Sequence, residues 1–389
     1  MSYLDKLLEG VEVEWKTLGD EDFVEIANSG RRPVKASERI SGNIPYYGAN
    51  NIQDYVDGFT HDGTYVLIAE DGTASLENYS IQWATGKFWA NNHVHVLRGI
   101  GSLNSRFLFH YLRIVNFIPY LSGGGRAKLT KGKLIEISIP IPPIEIQKEI
   151  VRILDTFTEL TTELTTELAA RKKQYNFYRD QLLNFKGKEV EWKPLGVIGE
   201  VRMCKRILKE QTSDVGEIPF YKIGTFGKDP DAYISKELFD EYKSKYNYPS
   251  IGEVLISASG TIGRAVIFDG REAYFQDSNI VWIENDERQV LNKYLFYCYQ
   301  VAKWEIAEGG TIQRLYNDNL KKTKIPIPYP NDTKKSIEEQ KYIVAILDKF
   351  DTLTTSISEG LPKEIELRQK QYEYYRDMLL TFPKDNLKA

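Results

Sequence analysis

The chain repeats itself, and this property limits its possible folds more than any other. Glu12-Val-Glu-Trp-Lys-Thr-Leu-Gly19 returns as Glu189-Val-Glu-Trp-Lys-Pro-Leu-Gly196. Ile139-Pro-Ile-Pro142 returns as Ile325-Pro-Ile-Pro328. Gln147-Lys-Glu-Ile-Val-Arg-Ile-Leu-Asp155 matches Gln340-Lys-Tyr-Ile-Val-Ala-Ile-Leu-Asp348. Lys173-Gln-Tyr-Asn-Phe-Tyr-Arg-Asp-Gln-Leu-Leu183 matches Lys370-Gln-Tyr-Glu-Tyr-Tyr-Arg-Asp-Met-Leu-Leu380. The blocks keep their order, and small insertions separate them, as loops and helix extensions allow. The sequence between them diverges, so each half joins a shared segment to a domain of its own.

Weak echoes survive inside the divergent parts. Val66-Leu-Ile-Ala69 with Gly72-Thr73 resembles Val254-Leu-Ile-Ser257 with Gly260-Thr261. Gly123-Gly124, followed by Arg126, Lys128 and Leu129, resembles Gly309-Gly310, followed by Gln313, Arg314 and Leu315. Tyr3-Leu-Asp-Lys-Leu-Leu8 resembles both repeat ends, so the chain starts with the tail of a repeat unit. That predicts a cyclic arrangement in which residues 1–10 lie beside the last helix.

The length of 389 residues fits two or three domains. No apolar run reaches the ~20 residues of a membrane span. Asp5 and Glu9 near the start argue against a secretory signal. Two cysteines, Cys204 and Cys298, cannot build a disulfide framework; they read as core residues of a protein in a reducing cytoplasm. A net charge of −4 argues against coating nucleic acid by bulk charge, but local basic loops remain open to it.

From Glu145 to Phe185 apolar residues recur every three or four positions, which predicts one long helix of about forty residues and roughly 60 Å. Ser336 to Phe382 predicts its counterpart, broken near Gly360 and Pro362. Strands are predicted at 65–69, 93–97, 253–257 and 279–283. Helices are predicted from Ser105 to Phe117 and from Asn292 to Ala307.

Catalytic patterns are missing. No Walker A motif, His-Glu-x-x-His, paired Cys-x-x-Cys or Gly-x-Ser-x-Gly occurs, and no Asp/Asn-Pro-Pro-Tyr/Phe of an amino-methylating enzyme. His93 and His95 lack further ligands and read as structural, and no metal site is predicted. Asp231, Glu241 and Lys243 only loosely resemble a nuclease set. What remains is polar loops. Their DNA-contact candidates in the first half are Arg31, Arg32, Thr73, Gly124, Arg126 and Lys128. In the second half they are Lys205, Arg206, Thr261, Arg264, Gln313 and Arg314. Arg and Gln can bond bidentately to guanine and adenine edges, and cations suit phosphates.

The ordered blocks together resemble the specificity subunit of type I restriction–modification systems over essentially the whole chain. The resemblance implies an α+β fold. Two pseudo-symmetric α/β target recognition domains would be separated by two long antiparallel coiled-coil helices in a cyclic pseudo-twofold arrangement. The expected bounds are 1–143 and 187–332 for the recognition domains, and 144–186 and 333–389 for the spacers. The expected partners are double-stranded DNA, two methylation subunits and restriction subunits. S-adenosylmethionine would sit on the methylation subunits, ATP and Mg on the restriction subunits, and no cofactor on this chain. The helices would dock the methylation subunits, with Leu160, Leu164, Leu168, Tyr175, Tyr178, Arg179, Tyr372, Tyr375 and Arg376 as candidates. Thr158-Glu-Leu-Thr161 and the two tetrapeptides after it repeat inside the first spacer, as in some family members where repeat number changes site spacing. A coiled-coil adaptor without DNA contact is the competing reading.

Overall fold

A computed structural model describes residues 7, 9–123, 127–306, 314–356 and 358–382. The first half contains β1 (Glu14–Thr17), β2 (Val24–Ile26), β3 (Ser41–Gly48), β4 (Asn51–Val56), β5 (His61–Ala69), β6 (Ile81–Ala90) and β7 (Val94–Gly99). Then come α1 (Ser105–Leu112), α2 (Lys131–Leu134), β8 (Ser138–Ile141) and α3 (Ile144–Leu182). The second half opens with β9 (Val190–Pro194), α4 (Leu195–Ile198), β10 (Gly199–Arg202), β11 (Ile218–Tyr221), β12 (Tyr233–Ile234) and α5 (Lys236–Lys245). It continues through β13 (Val254–Ser257), β14 (Ala265–Ile267), β15 (Tyr274–Phe275), β16 (Ile280–Asn285), α6 (Asn292–Val301) and α7 (Asn317–Lys322). β17 (Lys324–Pro328), α8 (Thr333–Thr355) and α9 (Leu361–Leu380) close it.

The chain divides into two compact units. The first takes residues 1–165 and 364–389, the second 166–363. The end of the chain therefore belongs with its beginning. Leu379, Leu380 and Phe382 are buried in the first unit's core with Ile150 and Leu154, and Leu7 packs against that cluster. The second unit buries Leu183 with Ile343 and Leu347. Phe157 stacks on Tyr375 in the first unit at 5.2 Å, and Phe350 on Tyr178 in the second at 5.6 Å.

The repeated blocks build the same joints twice. β1 pairs antiparallel with β8, Trp15 opposite Pro140, and β9 pairs with β17, Trp192 opposite Pro326. Gln147 is wholly buried in the first turn of α3. Its Oε1 accepts the Asn104 N–H at 2.8 Å, and its Nε2 donates to the carbonyls of Ser102 (2.9 Å) and Pro142 (2.8 Å). Asn104 in turn caps α1, its side chain accepting from the N–H groups of Arg106 and Phe107. Gln340 does the same at the start of α6, accepting the Leu291 N–H at 2.9 Å and donating to the Gln289 carbonyl at 3.0 Å. Two turns on, Asp155 accepts from His110 Nε2 (2.8 Å) and Arg106 Nε (2.9 Å). Asp348 accepts from the Tyr297 hydroxyl and from Lys293 at 3.2 Å.

The sheets differ between units. The first has six strands in the order β2-β7-β5-β6-β3-β4; the second has four in the order β10-β16-β13-β14, beside a separate β12-β11-β15 sheet. The strand echo nevertheless keeps its facing. Val66 and Ile68 point into the core that the long helix covers, and Leu67 into the opposite one. Val254 and Ile256 likewise meet the helix-side core, and Leu255 the other. Period-2 alternation leaves no other choice for a strand buried on both faces.

Several expected bounds shift. The helix expected to reach Phe117 ends at Leu112, and Ile118–Tyr120 forms a single 3-10 turn. After Leu112 the chain tightens to i→i−3 bonds, Ile114 N–H to the Tyr111 carbonyl and Val115 N–H to that of Leu112, and the Asn116 side chain then takes the Ile118 N–H at 3.0 Å. The second domain helix stops at Val301, and Ala307 lies outside the described residues. His93 falls in a turn before β7. The break in the second long segment is where proline and glycine place it. Gly360 has φ +82°, and a side chain there would meet the carbonyls of Thr352 and Leu353. Both cysteines are buried.

Removing either joint glutamine leaves main-chain groups unpaired in the interior. Gln147→Ala and Gln340→Ala are each expected to cost about 2–3 kcal/mol of stability, measured by denaturant unfolding. A loss near zero would remove the joint's structural role.

The aspartate joint makes a second prediction. Burial lowers the pKa of His110 from its ordinary value, against the pull of Asp155. A second proton would land on Nδ1, which is buried without an acceptor among the described residues. The unfolded chain therefore takes up the proton first as pH falls, and stability is lost below about pH 6.5. His110→Tyr copies Tyr297. Its melting temperature should fall less between about pH 7.5 and about pH 5.5 than that of the parent protein; equal falls would count against this account.

Candidate nucleic-acid interface

In each unit the loop that follows the glycine-rich segment closes onto the end of the echo strand. In the first unit the Leu129 N–H donates to the Glu70 carbonyl at 2.7 Å, and Asp71 bridges Lys128. In the second the Leu315 N–H donates to the Ala258 carbonyl at 2.8 Å, and Ser259 bridges Arg314. The two weakest sequence echoes are thus hydrogen-bonded to each other in both units. Ser122 and Lys128 exchange backbone hydrogen bonds of 2.9 and 2.8 Å and close the first loop at its base. Gly124, Arg126 and Gln313 lie outside the described residues.

Glu70 organises the first site. Its carboxylate receives Arg31 at 2.6 Å and Lys128 at 3.0 Å, and His95 stands 3.8 Å away. Burial raises the Glu70 pKa, but hydrogen bonds from Arg31 and Lys128 outweigh it and hold the carboxyl below its ordinary range. Arg31 also donates to the Val94 carbonyl at 2.9 Å. Its guanidinium is mostly buried and acts as an internal tie beneath the loop. Thr73 likewise serves its own turn, donating to the Ser75 carbonyl at 2.9 Å. Arg32 differs. Its backbone N–H bonds the Ala90 carbonyl at 2.9 Å, while its side chain is exposed without an acid partner among the described residues.

The second site lies at one end of the four-stranded sheet. There β10 and β13 end, and β14 and β16 begin. Arg206 ion-pairs with Asp277 at 3.0 Å. Ser259 Oγ donates to Asn279 at 2.8 Å. Arg264 donates to the Phe226 carbonyl at 2.8 Å, and Lys205 lies over the Tyr246 ring at 5.2 Å. Thr261 and Arg314 are exposed. Arg314 has no carboxylate partner among the described residues.

The spacer candidates divide. Leu160, Leu164 and Leu168 are half-buried, and the threonines between them return their hydroxyls to their own helix, as Thr162 does to the Thr158 carbonyl at 2.8 Å. Tyr175 and Tyr178 pack on Phe350, and Tyr375 on Phe157. Tyr372 receives Arg113 at 3.2 Å. Arg179 and Arg376 pair with the neighbouring Asp180 and Asp377. At equivalent places beside them Phe177 and Tyr374 are 63% and 66% exposed, so these rings, which the sequence reading passed over, face outward.

Other sequence candidates find structural partners. His93 bonds Asp71 at 2.6 Å, and His95 bonds the Leu129 carbonyl at 2.7 Å. Asp231 pairs with Lys222, Glu241 with Lys245, and Lys243 lies over the rings of Phe239 and Tyr248. Among the described residues no three His, Cys, Asp or Glu side chains gather into a metal site. None of the described helices is long and apolar enough to cross a membrane. Glu70 and Arg113 were missed by the sequence reading. Only Glu70 had a signal, as the residue directly after the echo strand.

The sequence pattern of the type I restriction modification DNA specificity domain matches twice, at residues 12–171 and 187–367. A putative type I restriction enzyme specificity subunit of Haemophilus influenzae is 66% identical, covering 98% of both chains. The specificity subunit of the Escherichia coli type I restriction enzyme EcoR124I/EcoR124II is 35% identical over 99% of this chain and 98% of its own. Among solved structures, the S subunit of a type I restriction–modification system from M. genitalium superposes with a TM-score of 0.61. Its identity is 15%, and coverage is 99% of this chain and 100% of that one. That likeness concerns the fold.

Proposed function

Since the chain belongs to the type I restriction modification DNA specificity family, we propose that each of its two domains reads one half of a bipartite DNA site. The chain is the specificity subunit of a type I restriction–modification system, a non-catalytic part of a complex with methylation and restriction subunits and DNA. The finer reading is our own. Residues 1–143 and 187–332 form the recognition domains, and 144–186 and 333–389 form the spacers that dock two methylation subunits in the cytoplasm. The observation that carries it is the doubled joint: Gln147 with Asp155, and Gln340 with Asp348, hold unlike domains to like helices. A constant mount with a variable head suits a protein that must address two different sequences through one kind of partner.

Within this reading, Arg32 and Arg314 present free guanidiniums to DNA. Arg31, Thr73, Arg206 and Arg264 shape the loops, and Lys128 shares Glu70 while remaining half-exposed. Gly124, Arg126 and Gln313 remain candidates by sequence alone, beside Lys205 and Thr261 in the second half. Leu160, Leu164, Leu168, Tyr175, Tyr178, Arg179, Tyr372, Tyr375 and Arg376 belong to the helical scaffold on which the methylation subunits dock.

The assembled methyltransferase complex should methylate an asymmetric bipartite site, mapped by sequencing methylated adenines. Equal methylation of all duplexes would favour the adaptor reading. Arg314→Ala should relax recognition of one half-site and spare the other; equal loss at both would indicate damage to assembly.

The spacer makes a separate prediction. Four helical residues add about 6 Å, against roughly 3.4 Å of rise per base pair. Deleting residues 162–165 should change the spacing between half-sites and keep their sequences. Methylation at the parental spacing would refute the ruler role of α3.

A further inference from the structure

We propose that a polar cleft in the first unit grips a phosphate of the DNA backbone between Arg113 and Arg376. The proposal rests on the reading of this chain as a DNA-recognition subunit. The cleft encloses about 430 Å³, and Asn50, Asn78 and Gln82 line it beside the two arginines. The arginines come from distant parts of the chain, the end of α1 and the last turns of α9.

Tyr372 draws them together. The Arg113 Cζ lies 5.6 Å from the centre of the Tyr372 ring, and the Arg376 Cζ lies 5.9 Å from it. Arg113 also donates to the Tyr372 hydroxyl at 3.2 Å. Two guanidiniums held on one ring repel each other unless an anion lies between them. Among the described residues no carboxylate does so. Arg376 pairs with Asp377 at 2.7 Å, but that acid is 61% exposed and solvent weakens the pair. Arg113 has no carboxylate partner among the described residues. The planar fork of arginine matches phosphate oxygens bidentately.

The setting favours DNA over an acidic protein segment. The cleft lining is mainly polar, whereas the centre of a protein interface is more apolar. Its wall is also fastened to a DNA-facing loop. Asn50 Nδ2 donates to the Gly72 carbonyl at 2.8 Å, and the Ala74 N–H donates to Asn50 Oδ1 at 2.7 Å, on either side of Thr73. Among the described residues the second unit has no such pair. Tyr175 meets Arg179 there at 5.6 Å, but Gln300 takes the place of Arg113 at the tyrosine hydroxyl, at 2.7 Å. The grip therefore belongs to one half-site, and it is blind to sequence because a phosphate carries none.

The test uses the full chain assembled with its methylation subunits, and duplexes with and without the bipartite site, titrated at several salt concentrations. Arg113→Gln and Arg376→Gln should each weaken binding to both duplexes roughly tenfold. Each should also reduce the slope of log affinity against log salt by about 0.9, the value of one phosphate contact. Arg113→Lys, which keeps the charge, should keep the slope. Unchanged affinity and slope in both glutamine variants would overturn the proposal. So would loss of methylation-subunit assembly with the salt slope intact, which would assign the cleft to an acidic protein segment. If the parent complex prefers no bipartite site at all, it is the DNA-recognition reading that fails, which is a separate result.

Discussion

The structure hangs on a buried amide used twice. A glutamine side chain has one acceptor and two donor hydrogens, and Gln147 and Gln340 satisfy donors and acceptor at once on main-chain or side-chain groups. The groups they satisfy include the first N–H at the entry to the domain helix. A helix end buried without such partners is costly, so each domain is fixed to its long helix where the cost of separation is highest. The aspartate two turns later adds a charge-assisted tie. Its partners differ, His110 and Arg106 against Tyr297 and Lys293, yet the aspartate keeps its place. The domain can vary on its side of the joint while the helix does not.

The same economy of construction explains why the chain's end lies in its first unit. The block ending in Leu379 and Leu380 is the sequence counterpart of the block ending in Leu182 and Leu183. Each such ending fills the core beneath one domain. The first domain's joint helix starts at Ile144, so its own helix end has gone to the second unit, and only the tail of the chain can complete its core. Contacts such as Phe157 on Tyr375 must form across most of the sequence. High separation of this kind slows folding and leaves the first unit incomplete until the block around Leu379 and Leu380 has been made.

The repeat made much of this legible. The long helices, the break at Gly360 and the burial of the cysteines follow from residue types and spacing. The strand echo was legible as a strand, because Val66-Leu-Ile-Ala69 is short, β-branched and apolar on both faces. What stayed hidden was long-range pairing. Nothing local to Arg31 indicates that Glu70, far along the chain, will take its guanidinium and turn a surface candidate into an internal tie. The two sheets also diverge where the sequences do, and only a few conserved facings, such as Leu67 and Leu255, show their common plan. The helix end at Leu112, where the last turn tightens and Asn116 then takes the Ile118 N–H, is a balance that periodicity alone does not register.

An acidic total and a DNA-binding role are compatible because most cations here already have local work. Arg31 and Lys128 share Glu70, Arg206 meets Asp277, and Arg179 sits beside its own aspartate. Such pairs cancel at a distance and leave little long-range field. The few unpaired guanidiniums then matter more. On the proposed reading, Arg32 and Arg314 would act within hydrogen-bonding reach of base edges, where sequence is read, and Arg113 on the backbone, which carries none. A strongly basic surface would hold any duplex tightly and mask the differences between base edges.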